Sequence, residues 1–88
     1  MQVTVRLFAL AKQRLGRPEL VLDLPSGATV ADLKRAMADA HPGLAPLVPN
    51  LLIAVQSEYA PDDLPIPDGA EVAAIPPVSG GGRPFPRS

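Results

Sequence analysis

Few residue types in this chain could do chemistry. Its 88 residues contain no cysteine and one histidine, so no thiol is available to carry a persulfide, close a disulfide or bind a soft metal. Any sulfur chemistry would have to use another group. His41 stands before Pro42 at the end of a helical segment, where imidazole is favoured at the negative helix terminus, and that structural role accounts for it without catalysis. Glu58, Asp62 and Asp63 gather carboxylates into one short stretch, but a solvated loop explains them equally well, so no catalytic role is assigned. There remains the run Pro76-Pro77-Val78-Ser79-Gly80-Gly81-Gly82. Glycines alone would describe a loose tail. These are joined directly to an apolar strand that ends at Ile75, and Pro76-Pro77 terminates that strand and aims the glycine segment outward.

The elements that must position this segment belong to one small domain, because the chain is too short for a second core. Hydrophobic residues make up 47% of it and aromatics only 3%, so the core must be built from Val, Leu, Ile and Ala. A net charge of −1, from 8 Lys and Arg against 9 Asp and Glu, leaves no electrostatic footprint for nucleic acid or an anionic membrane. The longest apolar run, Leu51 to Val55, is far too short to span a bilayer, and no basic segment with an apolar signal core opens the chain. A cytoplasmic location is the default expectation.

From Gln2 to Leu7 the residues alternate, with Val3, Val5 and Leu7 on one face of a half-buried strand. Phe8 to Leu15 reads as a short helical turn closed by Gly16 and Pro18, and Glu19 to Leu24 alternates again before Pro25-Ser26-Gly27. Thr29 is an N-cap with Asp32 three residues on, and Val30, Leu33, Met37 and Ala40 recur at helical spacing until His41-Pro42-Gly43 stops the helix. A proline-punctuated connection leads to Leu51–Gln56, apolar on both faces, and Asp68-Gly69 turns the chain into a last strand, Glu71–Ile75. The order ββαββ implies an α+β domain, a mixed sheet packed on one main helix in the β-grasp, ubiquitin-like arrangement, with a split ferredoxin-like sheet as the rival. Residues 1–81 form this domain, and 82–88, within a tail from Ser79 to Ser88 rich in Gly, Pro and Arg, are expected to form a flexible extension with no core of its own.

The stretch from Asp68 to Gly81, DGAEVAAIPPVSGG, resembles the terminal signature of the molybdopterin synthase small-subunit family of ubiquitin-like sulfur carriers, which usually reads DGDEVAFIPPVSGG. The resemblance extends to Ala54–Tyr59, where the family usually has AVNxEY, and to the first strand, the short helix and Gly16. Gln56 for Asn and Ala74 for Phe are departures. The resemblance implies that Gly81 is the reacting residue: an E1-like partner uses ATP to adenylate its carboxylate, a sulfur nucleophile displaces AMP, and the product is a thiocarboxylate. Gly80 and Gly81, lacking Cβ, would let the segment Pro76, Pro77, Val78, Ser79 and Gly80 thread into narrow sites on the activating enzyme and on the large subunit of the synthase. There the sulfur passes to a pterin precursor for the dithiolene of the molybdenum cofactor. The chain would be a cosubstrate that binds no cofactor itself. Carriers for thiamine or tRNA thiolation, and ubiquitin-like protein modifiers, share these features and remain alternatives.

Strand phase places Phe8 with Thr4 and Arg6, and Ile75 with Glu71 and Ala73, out of phase with the core in both strands. With Tyr59 they are expected to form an exposed apolar patch, and the resemblance makes it the surface on which the large subunit docks. Gly82-Arg83-Pro84-Phe85-Pro86-Arg87-Ser88 lie beyond the glycine that should end the chain. Because an amide cannot be adenylated, a processing protease is expected to cut after Gly81, where the motif register is intact, with Gly82 as the true end, an inactive carrier or a cloning remnant as the alternatives.

Overall fold

The computed structural model describes residues 1–76. Strand β1 (Gln2–Leu7) buries Val3, Val5 and Leu7 and exposes the residues between them, as its alternation requires. Helix α1 (Ala9–Leu15) comes next and stops at Gly16, whose φ of 79° lets its N–H reach back to the Lys12 carbonyl, a left-handed cap that a side chain would strain. Strand β2 (Glu19–Asp23) pairs antiparallel with β1, Gln2 opposite Asp23 and Arg6 opposite Glu19.

The main helix α2 (Val30–Ala40) starts at a reciprocal cap: the Asp32 N–H donates to Thr29 Oγ1 at 3.3 Å, and the Thr29 N–H donates to Asp32 Oδ2 at 3.0 Å. The neighbouring helical donors, Val30 and Ala31, are satisfied by the carbonyls of Leu64 and Asp62, and Lys34 bonds the Asp62 carboxylate at 3.0 Å. Thus Asp62 serves to hold its loop against the start of α2. Val30, Leu33 and Met37 are wholly buried on the expected face. Ala40 departs from that expectation and is exposed, lying in the last turn where the chain breaks off toward Pro42.

The connection after α2 contains two 3₁₀ turns, Pro42–Leu44 and Val48–Asn50, which bury Leu44 and Val48. Strand β3 (Leu52–Val55) then makes a tight hairpin with β4 (Glu58–Tyr59), a strand too short for sequence periodicity to reveal, and β5 (Val72–Ile75) closes the sheet. The strand order is β2-β1-β5-β3-β4, with β1 and β5 parallel at the centre and every other pair antiparallel. The first and last strands lie side by side and α2 crosses between the two antiparallel halves, which is the β-grasp fold and excludes the ferredoxin-like order. The core is aliphatic and contains no buried charged or polar residue among the described residues.

Candidate functional site

The sheet carries its core on one face and leaves the other open. Ladder register decides which residues share the open face, since directly opposed residues point to the same side. One row runs across all five strands, Glu19, Arg6, Ala73, Ala54 and Tyr59, each opposite the next. In the adjacent row Leu52 faces Ile75. Phe8 extends β1 by one residue in extended geometry, φ −128° and ψ 155°, before the chain turns sharply at Ala9 with φ 52°. Continuing the β1–β5 register past Leu7 and Ala74 puts Phe8 beside Ile75.

The expected patch is therefore assembled. Phe8 is 44% exposed and Tyr59 51% exposed, Ile75 is half-buried, and all lie on the open face. Partial desolvation pushes the Tyr59 phenol above its ordinary value. Leu52, Ala54 and Ala73, which sequence reading did not assign to the site, join these residues into one surface. The signal for Leu52 was present, because a strand apolar on both faces has one face left over when a single helix covers the sheet. Beside them a shallow depression of about 160 Å³ is lined by Arg6, Phe8, Ala54, Ser57, Glu71 and Ala73.

Strand β5 leaves the middle of the sheet at Ile75, and Pro76 ends its ladder. Pro76 itself is buried. Pro77, Val78, Ser79, Gly80 and Gly81 lie outside the described residues, as does the extension 82–88.

The backbone N–H of His41, at the C-cap of α2, donates to the Met37 carbonyl at 2.9 Å. No group of three His, Cys, Asp or Glu among the described residues is arranged to hold a metal ion. No helix among them is long and apolar enough to cross a membrane.

Comparison with known proteins gives this geometry a family. The model of the ThiS family matches residues 5–81, which takes in both the open sheet face and the terminal glycine pair. A molybdopterin synthase sulfur carrier subunit of Chlamydomonas reinhardtii is 37% identical over 83 residues, spanning 92% of this chain and 100% of that protein. Among solved structures, SAMP1 of Haloferax volcanii superposes with a TM-score of 0.80 at 28% identity, covering 92% of this chain and 100% of the other. A chain from a complex of subunits 1 and 2 of the molybdopterin-converting factor of Helicobacter pylori gives a TM-score of 0.65 at 26% identity, covering 92% and 100%. The chain belongs to the ThiS family, in the company of molybdopterin synthase sulfur carrier subunits.

Proposed function

We propose that this protein is the sulfur-carrying small subunit of a molybdopterin synthase, and that its working group is the carboxyl of Gly81. The reading is supported by its curated relatives, named as sulfur carriers of that enzyme, and by the match that runs through Gly81 and leaves 82–88 outside. The observation that carries it is the exit of β5. The segment bearing Gly81 departs from the centre of the sheet at Pro76, directly beside the apolar open face formed by Phe8, Leu52, Ile75 and Tyr59. A partner seated on that face would border the point at which the chain leaves the sheet. The Helicobacter pylori neighbour comes from a complex of subunits 1 and 2, which supports a large subunit as that partner.

The chemistry is the one the family resemblance implies. The chain has no thiol to carry sulfur, so the acyl carbon of Gly81 would carry it, and a carboxylate resists attack until its oxygen is made a leaving group. An adenylating enzyme supplies this with ATP, forming the acyl adenylate of Gly81 and releasing pyrophosphate. A hydrosulfide-equivalent donor then attacks the acyl carbon, AMP leaves, and a thiocarboxylate remains. Since Gly81 is amide-linked to Gly82 in this sequence, cleavage of that bond precedes activation.

The test supplies the full chain and a chain ending at Gly81 to an E1-like enzyme with ATP and sulfide, and reads pyrophosphate release and intact mass. The chain ending at Gly81 should gain about 16 Da, the difference between oxygen and sulfur, and the uncut chain should not react. Reaction of the uncut chain at Ser88, or of neither form, would sink the reading. A second reading, a ubiquitin-like protein modifier, draws on the likeness to SAMP1, a small archaeal modifier protein. It predicts adducts linking Gly81 to lysines of other proteins in extracts of the host.

A further inference from the structure

Strand β2 lies at the edge of the sheet and pairs only with β1. Its unpaired backbone groups can be assigned to particular residues. The Leu7 N–H bonds the Pro18 carbonyl and the Leu24 N–H bonds the Met1 carbonyl, both at 2.8 Å. Antiparallel pairs alternate between bonded and non-bonded, so Leu20 and Leu22 turn their N–H and C=O toward β1. Glu19, Val21 and Asp23 turn theirs to the free edge. The same residues project their side chains onto the open face, where Val21 is 54% exposed and both carboxylates are exposed. Neither acid forms an ion pair among the described residues, although Arg6 stands across the ladder from Glu19. The edge thus presents acid, apolar, acid at alternate positions, with a row of hydrogen-bonding groups beside them.

The extension presents the complement. Arg83-Pro84-Phe85-Pro86-Arg87 reads base, apolar, base at alternate positions, separated by prolines. An antiparallel strand with Arg83 opposite Asp23, Phe85 opposite Val21 and Arg87 opposite Glu19 would pair both charges and set an aromatic ring against a β-branched residue. In that register Arg83, Phe85 and Arg87 turn their N–H groups toward β2, while Pro84 and Pro86, which have none, face away from it. The prolines would project to the opposite face, beside a groove that follows the β2 edge and is lined by Arg17, Pro18, Glu19, Leu20, Val21 and His41. A parallel strand with Phe85 opposite Val21 would require donors at both prolines, and so does not fit.

Reach decides whose extension this is. By continuation of the registers, Pro76 lies level with Ala9, whereas Arg83 opposite Asp23 would lie level with Gln2. That separation is about 23 Å along the strands and, with β1 and β2 intervening, about 14 Å across them, or roughly 27 Å. The residues from Pro76 to Arg83 span at most about 25 Å fully extended. We propose that the β2 edge binds, as an added antiparallel strand, the Arg83–Arg87 segment of a second copy of this chain. Self-association of the uncut protein would then be salt-sensitive, and cutting after Gly81 would release it. β2 does not pair with itself in this way, because antiparallel pairing centred on Val21 sets Glu19 against Asp23.

The experiment is sedimentation of the full chain over a range of concentrations, with amide hydrogen exchange at Glu19, Val21 and Asp23. Association should strengthen with concentration, protect these amides, and weaken roughly tenfold or more in an Arg83→Glu/Arg87→Glu variant and in a Glu19→Lys/Asp23→Lys variant. Combining the four substitutions in one chain should restore it, which a damaged fold would not. A full chain that stays monomeric at millimolar concentration overturns the proposal. So does association indifferent to these charges, and edge protection unchanged on dilution would assign the site to the chain's own extension instead.

Discussion

Leu52 and Ile75 stand opposite each other across the β3–β5 ladder, both half-buried, on the face of the sheet that α2 leaves open. Phe8 continues the same row, so the exit of the terminal strand is bordered by apolar side chains. If this face seats the large subunit, a carboxylate placed there must be desolvated without a partner on docking. Phe8→Asp and Ile75→Asp should each weaken affinity for the large subunit by at least about tenfold while leaving the far-ultraviolet circular dichroism unchanged. Unchanged affinity in both, measured by calorimetry, would remove the patch from the interface.

Leu33 is fully buried in α2 and belongs to the aliphatic core beneath the sheet. Truncation to alanine should cost about 2–5 kcal/mol of unfolding free energy in urea titration, from lost transfer energy and the cavity left behind. A neutral outcome would contradict the packing of the helix on the sheet.

The Thr29–Asp32 cap makes stability depend on acid. The backbone hydrogen bond from Thr29 is the main reason the Asp32 carboxyl titrates below its ordinary value of 3.8. A depressed folded-state pKa means that this contribution is fully present above the unfolded value and is lost as pH falls through the folded one. Denaturation followed from pH 7 downward should show a shallower acid limb in Asp32→Asn, which keeps an acceptor but cannot titrate. Thr29→Ala should cost about 0.5–2 kcal/mol at neutral pH.

The β3–β4 hairpin turns through Gln56 and Ser57, at φ 52° and φ 70°, between the paired residues Val55 and Glu58. Both loop residues lie in the left-handed region that Asn and Gly tolerate and that Gln and Ser enter at a cost. Gln56→Asn with Ser57→Gly should raise stability by about 0.5–1 kcal/mol, read as a higher denaturant midpoint at constant m-value. A lower midpoint would mean that these side chains contribute contacts outweighing the backbone strain. Gln56 is also the position where the family usually carries Asn, so the substitution restores a residue suited to this turn.

The same hairpin shows where the sequence stopped being readable. Gln-Ser carries no Asn-Gly or Asp-Gly signal, and a strand as short as Glu58–Tyr59 has no period to detect, so β4 was invisible until β3 was seen to hold it. By contrast β1, β2 and α2 were legible because each repeats its apolar residues at its own period, and because Pro25 ends β2 while Thr29 and Pro42 bracket α2. The PPVSGG motif was likewise a property of the chain alone, as was the absence of any thiol to compete with it. Period, however, says only which side chains share a strand face. It does not say which strands are neighbours, or in what register. That β1 and β5 lie parallel, that Tyr59, Ala54, Ala73 and Arg6 form one row, that Pro76 is buried, and that Glu19, Val21 and Asp23 turn their backbone outward were decided by pairing between distant segments. These are non-local choices, made when each strand aligns its apolar face with the same helix, and a one-residue slip in any of them would have exchanged the open face for the buried one.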